Sequence, residues 1–215
     1  AKRYEAANIE LAAHYNLGFL RCGSDAGDAH LYLKQIKDIK GHGMKAYFSQ
    51  MKAYILSPNK LAEEARLLED AGVDEITLMD SAGCMFPNQV SLSVEAMKNA
   101  VKVPIGFHCH ANMGMCSANA LAAYRSGADI LDCGLLGMAR SAGNMPTELA
   151  TALMQTEGQC DELDFYGLLH FLDQELIPAM TQQGYKPSLL PKDLILGYSG
   201  CHSAFVKTFT AVAAD

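Results

Sequence analysis

Two histidines separated by one residue are the strongest chemical signal in the sequence. His108 and His110 lie in the segment GFHCHANMG, in a chain that has seven histidines among 215 residues. Successive side chains of a strand point to opposite faces, so the two imidazoles share a face while Cys109 points away from it. Two imidazoles at a strand end can bind one metal ion at about 2.0–2.1 Å from each ring nitrogen. The alternative is a pair of polar histidines satisfied by hydrogen bonds. Because the pair closes a predicted parallel strand, we favour the metal interpretation.

Three further polar positions are candidate ligands of a metal or substrate, and each has a structural alternative. Asn144 lies in the loop GMARSAGNMPTE, where it would supply a neutral oxygen ligand or cap the helix that follows. In MDSAG, either Ser81 or the preceding Asp80 faces the interior, because neighbouring side chains alternate. Arg21, at the end of the first predicted strand, would bind a carboxylate or brace Asp25. The residues alone leave these alternatives open.

Short apolar runs alternate with longer amphipathic stretches along the chain, which predicts strands joined by helices. We expect five strands, at residues 17–22, 45–50, 75–80, 103–109 and 129–135, followed by helices at 161–183 and 203–214. Apolar strands that alternate with helices form parallel βαβ units, so the fold class is α/β. No Gly-rich phosphate loop follows an early strand, and polar residues collect at the carboxyl ends of the strands, which favours a (β/α)8 TIM barrel over a doubly wound sheet. A barrel has eight strands, so we expect one partial barrel domain over residues 1–215.

Composition and charge exclude several classes of protein. Half of the residues are hydrophobic and 19% are charged, a profile typical of globular chains. The net charge of −7 without a basic block argues against nucleic acid as a partner. No stretch of about 18 residues is apolar throughout, so we expect no membrane span. The seven cysteines form no CxxC pair, which suits a reducing cytoplasm.

Together these motifs resemble the HMG-CoA-lyase-like superfamily of metal-dependent barrels, and within it the 4-hydroxy-2-oxovalerate aldolases. The similarity includes MDSAG, GFHCHANMG, the Ala-Gly-Asn loop and the closing segment LGYSGCHSAF. The resemblance implies that His108 and His110 bind a divalent ion, Mn²⁺ or Mg²⁺. It also implies that Asn144 lies at or beside the metal and that Ser81 contacts the pyruvate moiety. The family's third ligand is an Asp in an Arg-Asp-Gly segment, which this chain lacks, so we expect the first three strands of the barrel to be absent.

The closing segment departs from the family at one position. Where the family has a catalytic Tyr, this chain has His202. Both side chains can pass a proton, but imidazole does so near neutral pH and an unperturbed phenol only near pH ~10. We therefore predict that His202 is the acid/base group, with Tyr198 as the alternative donor. The structural alternative for His202 is a partly exposed residue at the start of a helix.

The resemblance implies a retro-aldol reaction in which a 4-hydroxy-2-oxo acid gives pyruvate and a short aldehyde. Such a cleavage needs a base for the C4 hydroxyl proton and an electron sink, which a chelated divalent ion supplies. No lysine lies at a predicted strand end, where a Schiff-base aldolase would need one. Two alternatives are an acyl-CoA-using Claisen-type synthase or lyase of the same superfamily and an inactive barrel fragment. The family also suggests an acylating aldehyde dehydrogenase as partner.

Overall fold

The strands of the computed structural model, which describes residues 6–185, 196 and 200–208, follow the predicted alternation. They are β1 (Phe19–Asp25), β2 (Lys45–Met51), β3 (Glu75–Asp80), β4 (Ile105–Cys109) and β5 (Ile130–Leu131). In the parallel sheet, each strand lies beside the next one in the chain. A doubly wound sheet reverses its strand order at a switch point, whereas this order continues in one direction, as in a barrel. The predicted α/β fold with five strands of a (β/α)8 barrel is confirmed.

Helices connect the strands and follow the last of them. They are α1 (Ala6–His14), α2 (Leu33–Gly41), α3 (Pro58–Asp70), α4 (Pro87–Ala100), α5 (Cys116–Arg125), α6 (Thr147–Thr156), α7 (Phe165–Phe171) and α8 (Ile177–Gln182). Pro58 opens α3, because the first turn of a helix needs no N–H from that residue. Gly72 and Gly127 follow α3 and α5 with φ of +95° and +94°, a left-handed conformation that glycine adopts without a steric cost.

The bounds of β1 and β5 differ from the predicted ones. β1 runs to Asp25 instead of residue 22, so Arg21 is the third residue of the strand and does not end it. β5 has two residues instead of the predicted seven, 129–135. The chain leaves the strand for a 3₁₀ turn at Leu135–Gly137, in which Leu136 has a φ of +56°. A turn of this kind cannot continue a strand, which explains the shorter β5.

The helix predicted at 161–183 begins later than expected and is divided by a π turn. α7 begins at Phe165, not at residue 161, because the carboxylate of Asp164 caps it by accepting the N–H of Gly167 at 2.8 Å. A π turn at Leu172–Leu176 separates α7 from α8. Within the predicted helix 203–214, Ser203–Phe205 forms a 3₁₀ turn, residues 206–208 are helical, and residues 209–214 lie outside the described part of the chain.

The chain divides into two compact units, each assembled from separate segments. The first comprises residues 1–81, 87–107 and 122–130, and the second comprises residues 82–86, 108–121 and 131–215. The single domain stays a prediction. Among residues 6–185, 196 and 200–208, no helix combines the length and the hydrophobicity that crossing a bilayer requires.

Each unit has buried apolar side chains of its own. In the first unit the sheet buries Phe48, Ile76, Leu78 and Ile105, and α3 packs beside α4. In the second unit the largest fully buried side chains are Met85 and Met145. Burying one such large side chain stabilises a fold by about 1.5–3 kcal/mol. These buried contacts hold the backbone of each unit in place and so fix the positions of its polar side chains.

Candidate functional site

The two histidines of the H-x-H motif lie side by side in the second unit. His108 is in β4, and His110 is the first residue after that strand. Their ring centroids are 5.5 Å apart with an interplanar angle of 69°, an edge-to-face arrangement. His110 is buried, with 5% of its surface exposed. The two imidazoles therefore share a face, as alternation along a strand requires.

Asp132 orients the first imidazole. Its Oδ2 lies 3.3 Å from Nδ1 of His108, and both side chains are largely buried. A carboxylate on one ring nitrogen fixes the orientation of the imidazole and presents the other nitrogen, here Nε2, to a ligand. No motif in the sequence marks Asp132 as a partner of His108. The available signal was its position just after β5, the strand beside β4 in the sheet.

Asn144 lies against the H-x-H segment through the backbone. Residues His110 and Asn144 form an antiparallel bridge, and the N–H of Ala111 donates to the carbonyl of Gly143 at 2.9 Å. Helix α6 starts at Thr147 with Pro146 before it, so the alternative that Asn144 caps this helix is wrong. The pairing with His110 holds Asn144 three residues short of the helix, which leaves its side chain available to the site.

Two buried acceptor atoms in this cluster lack a hydrogen bond within the described residues. They are Nδ1 of His110 and Oδ1 of Asn144. Buried polar atoms almost always have a partner, so an unsatisfied pair points to a group that binds there. A nitrogen and an amide oxygen both donate a lone pair to a cation. The local chemistry therefore fits a divalent ion. No set of three His, Cys, Asp or Glu side chains in residues 6–185, 196 and 200–208 is arranged to hold one by itself.

The protonation of His110 also suits a cation. Burial is the main cause that lowers its pKa to about 4, and the neighbouring charges of His108, Arg140 and His202 lower the pKa further. The imidazole is therefore neutral at pH 7. A neutral imidazole is the form that binds a metal, so no proton has to leave it first.

Gly83 fixes the position of the H-x-H segment within the second unit. Its carbonyl accepts the N–H of Met113 at 3.0 Å. A Cβ at residue 83 would lie 2.5 Å from the carbonyl oxygen of His110 and 2.6 Å from the amide nitrogen of Asn112. The backbone of Gly83 also has a φ of +63°. Only glycine meets both conditions, so the last residue of MDSAG has a packing role.

His202, the predicted acid/base group, lies in the second unit together with the two histidines. Its Nδ1 accepts the N–H of Ala204 at 3.1 Å, which makes it the cap of a 3₁₀ turn. Its Nε2 is 3.0 Å from Nη2 of Arg140, a residue of the loop that contains Asn144. The contact joins residues 62 positions apart, and no short-range pattern in the sequence indicated it. Tyr198, the alternative donor, lies outside the described residues.

Ser81 and Lys52 meet in the first unit, at the carboxyl ends of β3 and β2. Ser81 is buried, and its Oγ accepts the backbone N–H of Lys52 at 2.9 Å. Lys52 directly follows β2, and its ammonium pairs with Asp25 at 2.6 Å. Lys52 thus lies just beyond a strand end, but its amine forms an ion pair with Asp25. A Schiff-base lysine needs a free amine, so the expectation that no lysine is placed as a Schiff-base aldolase requires stays a prediction.

Arg21 lies at the other end of the same sheet. Its Nη2 is 2.8 Å from Oε1 of Glu75, the first residue of β3. The alternative that Arg21 braces Asp25 is wrong, since Asp25 pairs with Lys52. Active sites of parallel barrels lie at the carboxyl ends of the strands, and Arg21 pairs with a residue at an amino end. We therefore do not assign Arg21 to the site.

The chain belongs to the HMGL-like family, whose model matches residues 24–174. It is 34% identical over 202 residues to the 4-hydroxy-2-oxovalerate aldolase of Carboxydothermus hydrogenoformans, covering 94% of this chain and 59% of that protein. It is also 34% identical over 200 residues to the enzyme of the same name from Moorella thermoacetica, covering 93% and 58%. The chain thus spans less than two thirds of the length of these relatives.

A solved structure supports the fold. The N-terminal domain of a Bacteroides vulgatus protein superposes with a TM-score of 0.81 at 21% sequence identity. The match covers 97% of this chain and 70% of that one. At this level of identity the likeness concerns the architecture, and it agrees with the barrel-type strand order described above.

Proposed function

We propose that the protein is a divalent-metal-dependent aldolase that cleaves a 4-hydroxy-2-oxo acid, such as 4-hydroxy-2-oxovalerate, to pyruvate and a short aldehyde. The observation that carries the proposal is the pair of adjacent imidazoles, in which Nδ1 of His110 is buried and unsatisfied, together with the buried, unsatisfied Oδ1 of Asn144. The names of the relatives support the substrate class.

Mn²⁺ or Mg²⁺ is the cofactor that the proposal assigns to His108, His110 and Asn144. Mixed nitrogen and oxygen ligands suit a hard or borderline ion, whereas structural zinc usually has thiolate ligands. When bound, such an ion supplies Lewis-acid stabilisation of the negative charge that develops on the 2-oxo acid as the carbon–carbon bond breaks.

The remaining roles belong to side chains that hold other groups or move protons. Asp132 keeps Nε2 of His108 directed at the ligand position through its contact with Nδ1. That His202 takes the proton from the C4 hydroxyl stays a prediction from its position in the family's closing segment, since both of its ring nitrogens contact protein groups. The contact of Ser81 with pyruvate stays a prediction from the family, and so does the donor role of Tyr198.

The test is pyruvate release by the full-length natural protein, measured with lactate dehydrogenase and NADH in the presence of Mn²⁺. His108→Ala and His110→Ala should each abolish release while circular dichroism shows an unchanged fold. His170→Ala is the matched control, because His170 is an exposed histidine of α7 in the same unit. Full turnover in either H-x-H variant would remove the proposed role of the metal. Turnover with acetyl-CoA as co-substrate and none with the 2-oxo acid would favour the Claisen-type alternative.

Two further proposals concern the cellular context. The aldehyde product needs an enzyme to consume it, and an acylating aldehyde dehydrogenase would do so. A reducing location such as the cytoplasm is supported by the seven cysteines, which are scattered along the chain without a CxxC pair. Co-purification of the natural protein with a dehydrogenase would test the first proposal.

A further inference from the structure

Two buried thiols lie in contact directly beneath the H-x-H motif. Cys109, between the two histidines in the chain, has its Sγ 3.1 Å from Sγ of Cys116, the first residue of α5. Each sulfur also lies near the carbonyl oxygen of the other residue, at 3.8 Å and 3.6 Å. The exposed fractions are 1% for Cys109 and 5% for Cys116.

We propose that Cys109 and Cys116 form a reversible disulfide, and that this disulfide switches off the binding of the cation by His108 and His110. The thiols already meet sulfur to sulfur, so closing the bond requires a small movement and no rearrangement of the fold. The coupling to the cation rests on the proposed function, whereas the formation of the disulfide does not.

The chemistry balances with hydrogen peroxide as the oxidant. Peroxide oxidises one thiol to a sulfenic acid and releases one water. The second thiol attacks that sulfur, the S–O bond breaks, and a second water leaves as the S–S bond forms. Cys116 is the more exposed of the two and is therefore the first to react. A dithiol reductant reverses the reaction by thiol–disulfide exchange.

Closing the disulfide would weaken cation binding by moving the backbone that carries the two imidazoles. A disulfide has an S–S length of about 2.05 Å, so the sulfurs approach by about 1 Å from their present 3.1 Å. Cys109 is bonded in the chain to both His108 and His110, so a shift of its backbone moves both imidazoles. A misplacement of about 1 Å in a catalytic constellation can lower a rate on the order of 100-fold.

Alternation along β4 directs the side chain of Cys109 away from the two imidazoles, so the cysteine pair is not part of the proposed metal site. The pair is thus a modification site on the face opposite to the cation. Its burial means that oxidation proceeds at the rate at which peroxide reaches the sulfurs, so we expect inactivation over minutes and not seconds.

The experiment treats the full-length natural protein with hydrogen peroxide and follows three readouts. Peptide mass spectrometry should find a Cys109–Cys116 disulfide, Mn²⁺ titration should show at least about tenfold weaker binding, and pyruvate release should fall in parallel. Dithiothreitol should restore all three. Cys116→Ala should resist the loss of Mn²⁺ binding, and Cys133→Ala, which removes an exposed thiol, should behave like the unmodified protein.

Each outcome decides a separate part of the proposal. Absence of the disulfide after peroxide treatment would overturn it, even if activity falls, because another oxidation would then be responsible. A disulfide that leaves Mn²⁺ binding unchanged would overturn the switch. If Cys116→Ala does not fold, disulfide mapping and Mn²⁺ titration on the unmodified sequence still decide both points. A protein without aldolase activity but with the disulfide and oxidation-sensitive Mn²⁺ binding would contradict the proposed function and leave this inference standing.

Discussion

Acid should destabilise this fold through His110, and the size of the effect follows from its burial. The pKa of His110 is lowered from 6.5 to about 4, mainly because its ring is buried. An unfolded chain therefore binds a proton at this residue between pH 6.5 and 4, whereas the folded chain does not. Stability from this group is fully present above pH ~6.5 and is lost as the pH falls.

The magnitude comes from the lowering of the pKa. One pKa unit corresponds to about 1.4 kcal/mol, so the lost free energy of unfolding is roughly 2 kcal/mol at pH ~5 and approaches about 3 kcal/mol at pH ~4. His110→Gln has no titratable ring. Its free energy of unfolding should therefore fall by about 2 kcal/mol less at pH ~5, and by about 3 kcal/mol less at pH ~4, than that of the unmodified protein. Acid-sensitive groups that do not interact with His110 contribute equally to both proteins, so the difference between the two pH curves reports the histidine and its charged neighbours.

The assay is urea unfolding in the presence of a chelator, followed by circular dichroism, from pH 7 down to pH 4. Circular dichroism is the suitable probe because the chain has no tryptophan. His170→Gln, which removes an exposed histidine, should keep the acid sensitivity of the unmodified protein. Parallel pH curves for the unmodified protein and His110→Gln would refute the assignment of a buried neutral imidazole at this position.

Three further predictions concern neighbours of the H-x-H motif. Asp132→Asn should weaken Mn²⁺ binding by about 10–100-fold, because the carboxylate orients His108; an unchanged dissociation constant would contradict this role. Gly83→Ala should lower the free energy of unfolding by about 1–3 kcal/mol more than Gly114→Ala. Both glycines have a positive φ, but of the two only Gly83 has backbone atoms in the way of a Cβ. Equal losses of stability in the two variants would contradict the packing role of Gly83. His202→Tyr should move the pH–rate profile towards higher pH, as expected for a phenol, and an unchanged profile would show that this residue transfers no proton.

Local patterns in the sequence predicted the strands and the shared face of the imidazoles. Side chains of a strand alternate with a period of two residues wherever the strand lies in the fold, so this pattern can be recognised from the sequence alone. The common face of His108 and His110 follows from that period alone. The strand order could also be anticipated, because βαβ units place each strand beside its predecessor unless the winding reverses.

Contacts between distant segments could not be predicted in this way. The pairing of Asp132 with His108 depends on which atoms two neighbouring strands bring together, and the approach of Arg140 to His202 depends on a loop of irregular backbone. β2 ends at Met51, one residue later than the predicted end at residue 50. Strand ends are decided by turns and side-chain contacts that hydrophobic periodicity does not record.

The most direct test of the proposed metal site is a crystal structure of the full-length protein soaked with Mn²⁺, with anomalous data collected above the manganese absorption edge. We expect one peak about 2.0–2.2 Å from a ring nitrogen of both His108 and His110, close to Oδ1 of Asn144. A peak at a different cluster, or two histidines hydrogen-bonded to protein groups with no peak between them at saturating Mn²⁺, would contradict it.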